Sequence, residues 1–493
     1  MARPAIALLL CAALPLAACS IGSARPQQTA AELGIPDQFS VDVQQKARED
    51  LSRWWDRFDD PMLGQLIGQA QSANLDIAQA VIRLRQARES LVQSRSALLP
   101  TVSGSAGYSR NEPLRGGSTT TRLPDGTIAS FSQGGSSNFS LGLDASYQVD
   151  LFGGVRAGVR NAQATYESTV FNRAAVLLSV ESETARNYVL ARQAQAQLAN
   201  ARESLSIQDE NLSIARWRVQ AGLVSSLDAE TARSQRAQTA ATIPQLESNY
   251  ASYVARLGVL TGQAPGALRG ALEAPKPIPR GPLNVDTGIP ADALRQRPDV
   301  RASERSLAAA AAQIGVARAQ LYPSLTLGGS INMGSSRIGS LFDIITGRAF
   351  ANVAQTLFDS GRLRSQLRSA RAGADGAFYA YKASVLKALE EIENAIVALQ
   401  AARTREAEFR TALEAATNQA LLARFQYRSG LTDFTTLNQS ESALLSAKNG
   451  LSQAESEQAT ALIQLYVALG GGWDEAAPIP PLPPTTGSAT DGQ

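Results

Sequence analysis

Histidine is absent from the 493 residues, and cysteine occurs only at positions 11 and 19. The side chains left to do chemistry are carboxylates, arginines and tyrosines. Two segments gather them beside a glycine: Gly222-Leu223-Val224-Ser225-Ser226-Leu227-Asp228, and Tyr427-Arg428-Ser429-Gly430-Leu431-Thr432-Asp433. Imidazole triads and imidazole zinc sites are excluded. The remaining carboxylates are scattered over helical faces without converging, so neither catalysis nor a metal or cofactor is expected. A glycine after a basic last turn stops a helix, and Ser or Asp next starts another. Each segment therefore reads as the turn of a helical hairpin.

The elements that carry these turns occur twice. Leu98-Leu99-Pro100-Thr101-Val102 returns as Leu321-Tyr322-Pro323-Ser324-Leu325, and Leu151-Phe152-Gly153-Gly154 as Leu357-Phe358-Asp359-Ser360. Arg216-Trp217-Arg218-Val219-Gln220-Ala221-Gly222-Leu223 returns as Arg424-Phe425-Gln426-Tyr427-Arg428-Ser429-Gly430-Leu431. Three anchors in one order make a tandem duplication. The first copy is assigned to residues 53–264 and the second to 291–473, joined by a Pro-rich connector at 265–290. Residues 474–493 are a Pro-rich tail expected to be disordered.

The N-terminus has Arg3, an apolar stretch from 5 to 16, and small residues before Cys19, the pattern of an export signal covering residues 1–18. Leu16-Ala17-Ala18-Cys19 is similar to the lipobox of bacterial lipoproteins, which implies acylation of Cys19 and a periplasmic linker over 19–52. The three acyl chains so implied exceed the two signals that stable anchoring needs, and Ser20 in place of Asp implies the outer membrane. With Cys19 acylated, no internal disulfide remains. The 46 basic and 44 acidic residues leave a formal charge of +2 without a polybasic block, so nucleic acid is not an expected partner.

After the signal no run of 18 apolar residues occurs, so a membrane crossing has to be a barrel. Four strands of about the required length are predicted: 101–110, 138–150, 324–332 and 350–358. Phe139, Leu141, Leu143, Ala145, Tyr147 and Val149 alternate with Ser140, Gly142, Asp144, Ser146, Gln148 and Asp150, giving an apolar and a polar face. The same alternation fits a half-buried strand of a soluble sheet. Four strands are too few to close a barrel, whereas three chains supply twelve. The strands are separated by a long polar loop at 111–137 in the first copy and a shorter one at 333–349 in the second.

Very long helices are predicted between the strands, since 155–220 contains no proline; such a helix is on the order of 100 Å long. Leu198, Ala201, Leu205, Gln208, Leu212, Ala215 and Val219 recur at 3-4 spacing, as do Val385, Leu389, Ile392, Ile396 and Leu399. These are thin coiled-coil seams, suited to a wall wetted on both sides.

Trp54-Trp55-Asp56-Arg57-Phe58-Asp59-Asp60-Pro61-Met62-Leu63, Asn74-Leu75-Asp76-Ile77 and Arg297-Pro298-Asp299-Val300-Arg301-Ala302-Ser303-Glu304 carry a further signal. With Ile314-Gly315-Val316-Ala317 and Tyr322-Pro323-Ser324-Leu325, they resemble the TolC-like outer membrane efflux factors, nearest to the NodT-type lipoproteins of resistance-nodulation-division (RND) pumps. The resemblance covers residues 54–473. It implies a mainly α chain with four strands, forming a homotrimer with a twelve-stranded transmembrane β-barrel and a periplasmic α-helical tunnel. The implied function is passive conduction of small molecules out of the cell, in company with a periplasmic adaptor and an inner-membrane RND transporter.

The same resemblance implies roles for the two turns. Gly222, Leu223, Val224, Ser225, Gly430 and Leu431 would meet the adaptor. Asp228, Tyr427, Arg428 and Asp433 would be the candidates for closing the periplasmic aperture. Thr436 and Gln439 stand where some members carry acidic residues, which leaves Asp228 to supply an acidic ring. A type I protein-secretion duct and a structural coiled-coil lipoprotein are the alternative readings.

Overall fold

The computed structural model describes residues 30–36, 38–40, 51–115, 118–124, 126–132, 135–282, 285 and 290–474. The signal stretch, Cys19, most of the 19–52 linker, residues 286–289 of the connector and the tail beyond Asp474 lie outside the described residues. The chain divides into a sheet unit, built from Ala87–Tyr166 and Ser306–Phe378, and a helical unit, built from Gln27–Gln86, Glu167–Arg305 and Tyr379 onward.

The duplication is reproduced residue for residue in helix length. The first copy has α1 (Leu75–Ser96, 22 residues), α2 (Gly154–Gln220, 67) and α3 (Ser226–Leu260, 35). The second has α4 (Pro298–Ala319, 22), α5 (Arg362–Arg428, 67) and α6 (Phe434–Ala468, 35). The predicted seams are where burial falls: Ala201, Gln208, Leu212 and Ala215 are buried, as are Val385, Leu389, Ile392, Ile396 and Leu399.

All four long-helix ends stop in the same way. Gly222, Gly262, Gly430 and Gly470 adopt φ between 70° and 75°. In each case paired backbone bonds close the turn, such as Leu223 N–H to Arg218 O and Gly222 N–H to Val219 O, both 2.9 Å. This is the Schellman motif, which satisfies orphan carbonyls and needs a residue without Cβ strain.

In the sheet unit, β1 (Thr101–Asn111), β4 (Ser136–Val149), β5 (Ser324–Ser335) and β6 (Ile345–Ala354) form an antiparallel sheet in the order β1-β4-β5-β6. Two predictions are corrected here. The fourth strand is Ile345–Ala354 rather than 350–358, because its register is set by pairing with β5, from Met333↔Ile345 to Ser324↔Ala354. The 111–137 segment is more than a loop: β2 (Ser118–Arg122) and β3 (Ile128–Ser132) pair within it as a separate two-stranded sheet.

The helical unit holds the apolar core. Trp54 is fully buried and stacks on Tyr466 with ring centroids 5.7 Å apart, while Trp55 and Phe58 meet Trp54 edge-on. Asp60 caps the next helix (Pro61–Ala73) through Met62 N–H at 2.9 Å, and its other oxygen accepts the Tyr188 hydroxyl at 2.7 Å. The Trp-Trp-Asp-Arg-Phe-Asp-Asp-Pro motif is thus an aromatic plug followed by a cap. Arg297 is likewise structural: buried, it binds Asp299 (2.7 Å), Glu391 of α5 (2.5 Å) and the Ala468 carbonyl ending α6 (3.1 Å).

Candidate functional site

The sheet has two chemically distinct faces. The register puts Val102, Ala106 and Tyr108 of β1 beside Phe139, Leu141, Leu143, Ala145, Tyr147 and Val149 of β4. On that same face lie Leu325, Leu327, Ile331 and Met333 of β5, with Ile345, Ala349, Ala351 and Val353 of β6. The opposite face carries Ser, Thr, Asn, Asp and Gln, with Phe350 as its one large apolar side chain. Phe350 lies over Gly328, where a Cβ would stand 2.2 Å from the ring. The apolar face is largely solvent-exposed in the single chain: Val102, Tyr108, Leu143, Ile331, Ile345 and Val353 all remain open. An exposed apolar surface of this extent marks a membrane or partner contact. The outer edges of β1 and β6 have no neighbour among the described residues, and unpaired edges are templates for another chain.

In the helical unit the ends of α2 and α5 are locked together. Tyr427 is 1% exposed; its ring meets Phe434 edge-on at 5.8 Å, and the Arg218 guanidinium lies 4.7 Å from its centroid. Arg218 also donates to the Tyr427 carbonyl at 3.3 Å, and Arg428 pairs with Glu210 at 2.7 Å. Arg424 grips both oxygens of Glu441. The Tyr427 hydroxyl is buried without a hydrogen-bond partner.

The predicted turn residues divide by environment. Gly222, Leu223, Ser225, Gly430 and Leu431 are exposed, and Val224 is half-buried. Ser225 caps α3 through Leu227 N–H at 3.2 Å. Asp433 caps α6 through Thr436 N–H at 2.8 Å, and that bond holds its carboxyl below the usual range. Asp228 lies half-buried in the first turn of α3, with no ion pair on its carboxylate among the described residues. Tyr427 and Arg428 are therefore brought together with Arg218 and Glu210, two partners that the sequence did not single out. Complementary charges eight residues apart on matched helices, Glu210 with Arg218 against Arg428, were the available signal.

A second group escaped sequence reasoning. Glu181 is fully buried; Gln71 donates to one oxygen at 2.7 Å, and the other has no partner. Burial pushes its carboxyl up to about 8. The Trp54 indole N–H is also unpartnered, and both groups face Gly472, where a Cβ would meet the free Glu181 oxygen at 2.2 Å. Gly472 N–H binds the Leu51 carbonyl at 2.8 Å, and the Trp473 indole binds the Gln296 carbonyl at 3.0 Å. The last described residues thus pass over the buried carboxyl. Among the described residues no cluster of His, Cys, Asp and Glu could hold a metal ion, and no helix is long and apolar enough to cross a membrane.

Comparison with known proteins gives consistent results. Residues 66–263 and 289–471 match the family described as outer membrane efflux protein. Nodulation protein T of Rhizobium leguminosarum bv. trifolii is 29% identical over 476 residues, covering 94% of this chain and 97% of the relative. The pyoverdine export outer membrane protein OpmQ of Pseudomonas putida is 30% identical, covering 94% of this chain and 98% of the relative. The solved structure of the outer-membrane channel OprN superposes with a TM-score of 0.80 at 31% identity, covering 91% of this chain and 99% of that one.

Proposed function

The chain belongs to the outer membrane efflux protein family, and on that premise we propose that it forms, as a homotrimer, the exit duct of a tripartite RND-type efflux pump. It is an outer-membrane efflux channel of a Gram-negative bacterium, not an enzyme. The observation that carries the finer reading is the sheet. Four strands of 10 to 14 residues, with one apolar face and two free edges, are long enough to cross the hydrocarbon core and too few to close on themselves. Three copies give twelve strands, with the apolar face toward lipid and the Ser- and Asn-rich face toward water.

Energy is spent elsewhere in such an assembly, so the duct conducts passively, and cargo is chosen mainly by the pump. The exposed residues Gly222, Leu223, Ser225, Gly430 and Leu431, with the half-buried Val224, suit end-on docking of a periplasmic adaptor, because the glycines and the serine permit close helix approach. The Tyr427–Arg218 and Arg428–Glu210 contacts tie the two helical hairpins together, and Asp228 repeated threefold would concentrate negative potential at the aperture. Asp433, committed to its cap, serves there as a structural element of the turn. Cys19, acylated, would add a lipid anchor in the outer membrane.

The test is single-channel conductance of the purified protein in a planar bilayer, alongside its mass in detergent. A trimer with low conductance that rises on Asp228→Ala is expected. A monomer without channels would refute the duct reading, and a trimer indifferent to Asp228→Ala would remove that residue from the gate.

A further inference from the structure

The four strand ends that meet helices lie at one end of the sheet, since Thr101 pairs with Ser146, Val149 with Leu325, and Ser324 with Ala354. Each end carries an apolar dipeptide: Leu98-Leu99, Leu151-Phe152, Leu321-Tyr322 and Leu357-Phe358. Phe152 and Tyr322 stack at 4.7 Å, while Leu357 and Phe358 are 93% and 87% exposed. Aromatic girdles of this kind mark the membrane–water interface of barrels.

Directly beyond this belt the charge balance changes. The helical segments of the sheet unit, 87–96, 154–166, 306–319 and 362–378, hold nine arginines and two carboxylates, whereas the whole chain is nearly balanced. Among the described residues the only carboxylate within 4.0 Å of any of the nine is Asp150, 3.7 Å from Arg156. Asp150 is itself occupied in capping α2, through Val155 and Arg156 N–H. In the helical unit, by contrast, four of the five arginines of α5 pair with Glu, as in Arg405–Glu457 and Arg428–Glu210, and Arg202 of α2 pairs with Glu247.

The placement of these arginines works against the helices that carry them. Arg156 and Arg160, and Arg364 and Arg368, are like-charge pairs at i, i+4, a destabilising arrangement. Arg156 and Arg364 lie in the first turns of α2 and α5, where the helix dipole is positive and favours carboxylates; neither first turn contains one, and the carboxylates just before them, Asp150 and Asp359, are taken up in capping. A neighbouring copy at the same level brings the same excess of arginine, so oligomerisation cannot neutralise it. An outside anion can. The starts of α2 and α5 share one open cleft of about 670 Å³, lined by Asp150, Phe152, Val155, Tyr322, Arg362 and Gln366, and the four arginines flank it on the exposed helix surfaces rather than line it.

We propose that this collar binds the anionic headgroups of phospholipids in the periplasmic leaflet, with Arg156, Arg160, Arg364 and Arg368 gripping phosphate beside the Phe152–Tyr322 stack. The level fits, because four to six residues separate the aromatic belt from Arg156 and Arg364, about 6 to 9 Å along a helix axis. The guanidinium fork matches phosphate oxygens in pairs. The inference rests on the duct reading, which places the belt at the bilayer surface.

The test compares the full-length trimer with its Arg160→Gln/Arg364→Gln/Arg368→Gln variant, reconstituted in phosphatidylethanolamine vesicles with or without phosphatidylglycerol. Channel conductance, retained lipid and thermal midpoint are read on the same samples. The parent should retain phosphatidylglycerol and melt higher with it present, while the variant loses retention by about fivefold per arginine removed and keeps its channels in phosphatidylethanolamine. Inorganic phosphate added in a neutral detergent should leave the parent's midpoint unchanged; an equal rise there would overturn the lipid assignment in favour of free phosphate. Working channels with equal phosphatidylglycerol retention in parent and variant would overturn the proposal while sparing the duct. So would retention unchanged in a variant that has instead lost binding to purified peptidoglycan sacculi. Absence of channels in the parent would bring down the duct reading itself, and this inference with it.

Discussion

At the scale of single residues, Glu181 makes the sharpest statement about conditions. Its folded carboxyl titrates near 8 against an ordinary 4.5, because burial disfavours the charged form more than the Gln71 hydrogen bond supports it. Between those two values the folded chain keeps a proton that the unfolded chain has released. Stability therefore falls as pH rises through this window and levels above about 8. Glu181→Gln keeps the shape and removes the titration. Parent and variant should melt alike below about pH 4, and the variant should melt progressively higher from there toward pH 8, as followed by circular dichroism in one detergent; parallel curves would mean that Glu181 ionises without cost. Nothing in the sequence distinguishes Glu181 from neighbouring helical carboxylates, because its burial depends on Trp54 and Gly472, distant in the chain. Tyr427 and Arg428 were visible, being fixed in place by the duplication, but the Arg218 and Glu210 that hold them became apparent only when α2 and α5 were laid together.

At the scale of elements, the four helix stops look alike yet face different surroundings. Gly222 has φ +75° and open space where a Cβ would be, whereas Gly262 has φ +70° and a Cβ position 2.4 Å from the Ala73 carbonyl oxygen. Alanine at either position carries the left-handed penalty, roughly 1–2 kcal/mol, and Gly262→Ala adds overpacking of about 1–3 kcal/mol. Gly262→Ala should therefore lower the thermal midpoint clearly more than Gly222→Ala; the reverse order would mean that the hairpin turn, not the packed end of α3, limits stability. The helices were legible because 3-4 apolar spacing and missing prolines are local signals. The end of β6 was misplaced although the repeat contained the correction: Leu151-Phe152 lies just past β4, so its counterpart Leu357-Phe358 lies past β6 as well. The apolar pair looked like strand when read alone, whereas hydrogen-bond register with β5 decides where pairing ends. The β2–β3 pair was hidden by composition and length, since the Thr-rich β2 has no apolar residue and the five residues of β3, Ile-Ala-Ser-Phe-Ser, do not alternate in hydropathy.

At the scale of the whole molecule, a single chain leaves obligations that only other copies can meet. In β1 and β6 the backbone groups along one edge have no partner among the described residues, and in hydrocarbon each such group costs several kcal/mol. A closed barrel removes both edges at once, because β1 of one copy can pair with β6 of the next. The duplication is consistent with this arrangement: two strand pairs per chain and equal helices of 67 and 35 residues in each half make six near-equivalent units in a trimer, so that successive staves differ little around the ring. Hydrogen exchange tests the closure directly. In the reconstituted trimer, amides along β1 and β6 should be protected as strongly as those of β4, which is paired on both sides within the chain. In protein dissociated to monomers under conditions that keep the helices, alternate amides of β1 and β6 should exchange faster by orders of magnitude while β4 and β5 keep part of their protection. Free edges in the intact trimer would mean that the strands of different copies do not meet, and that the assembly is held by its helices alone.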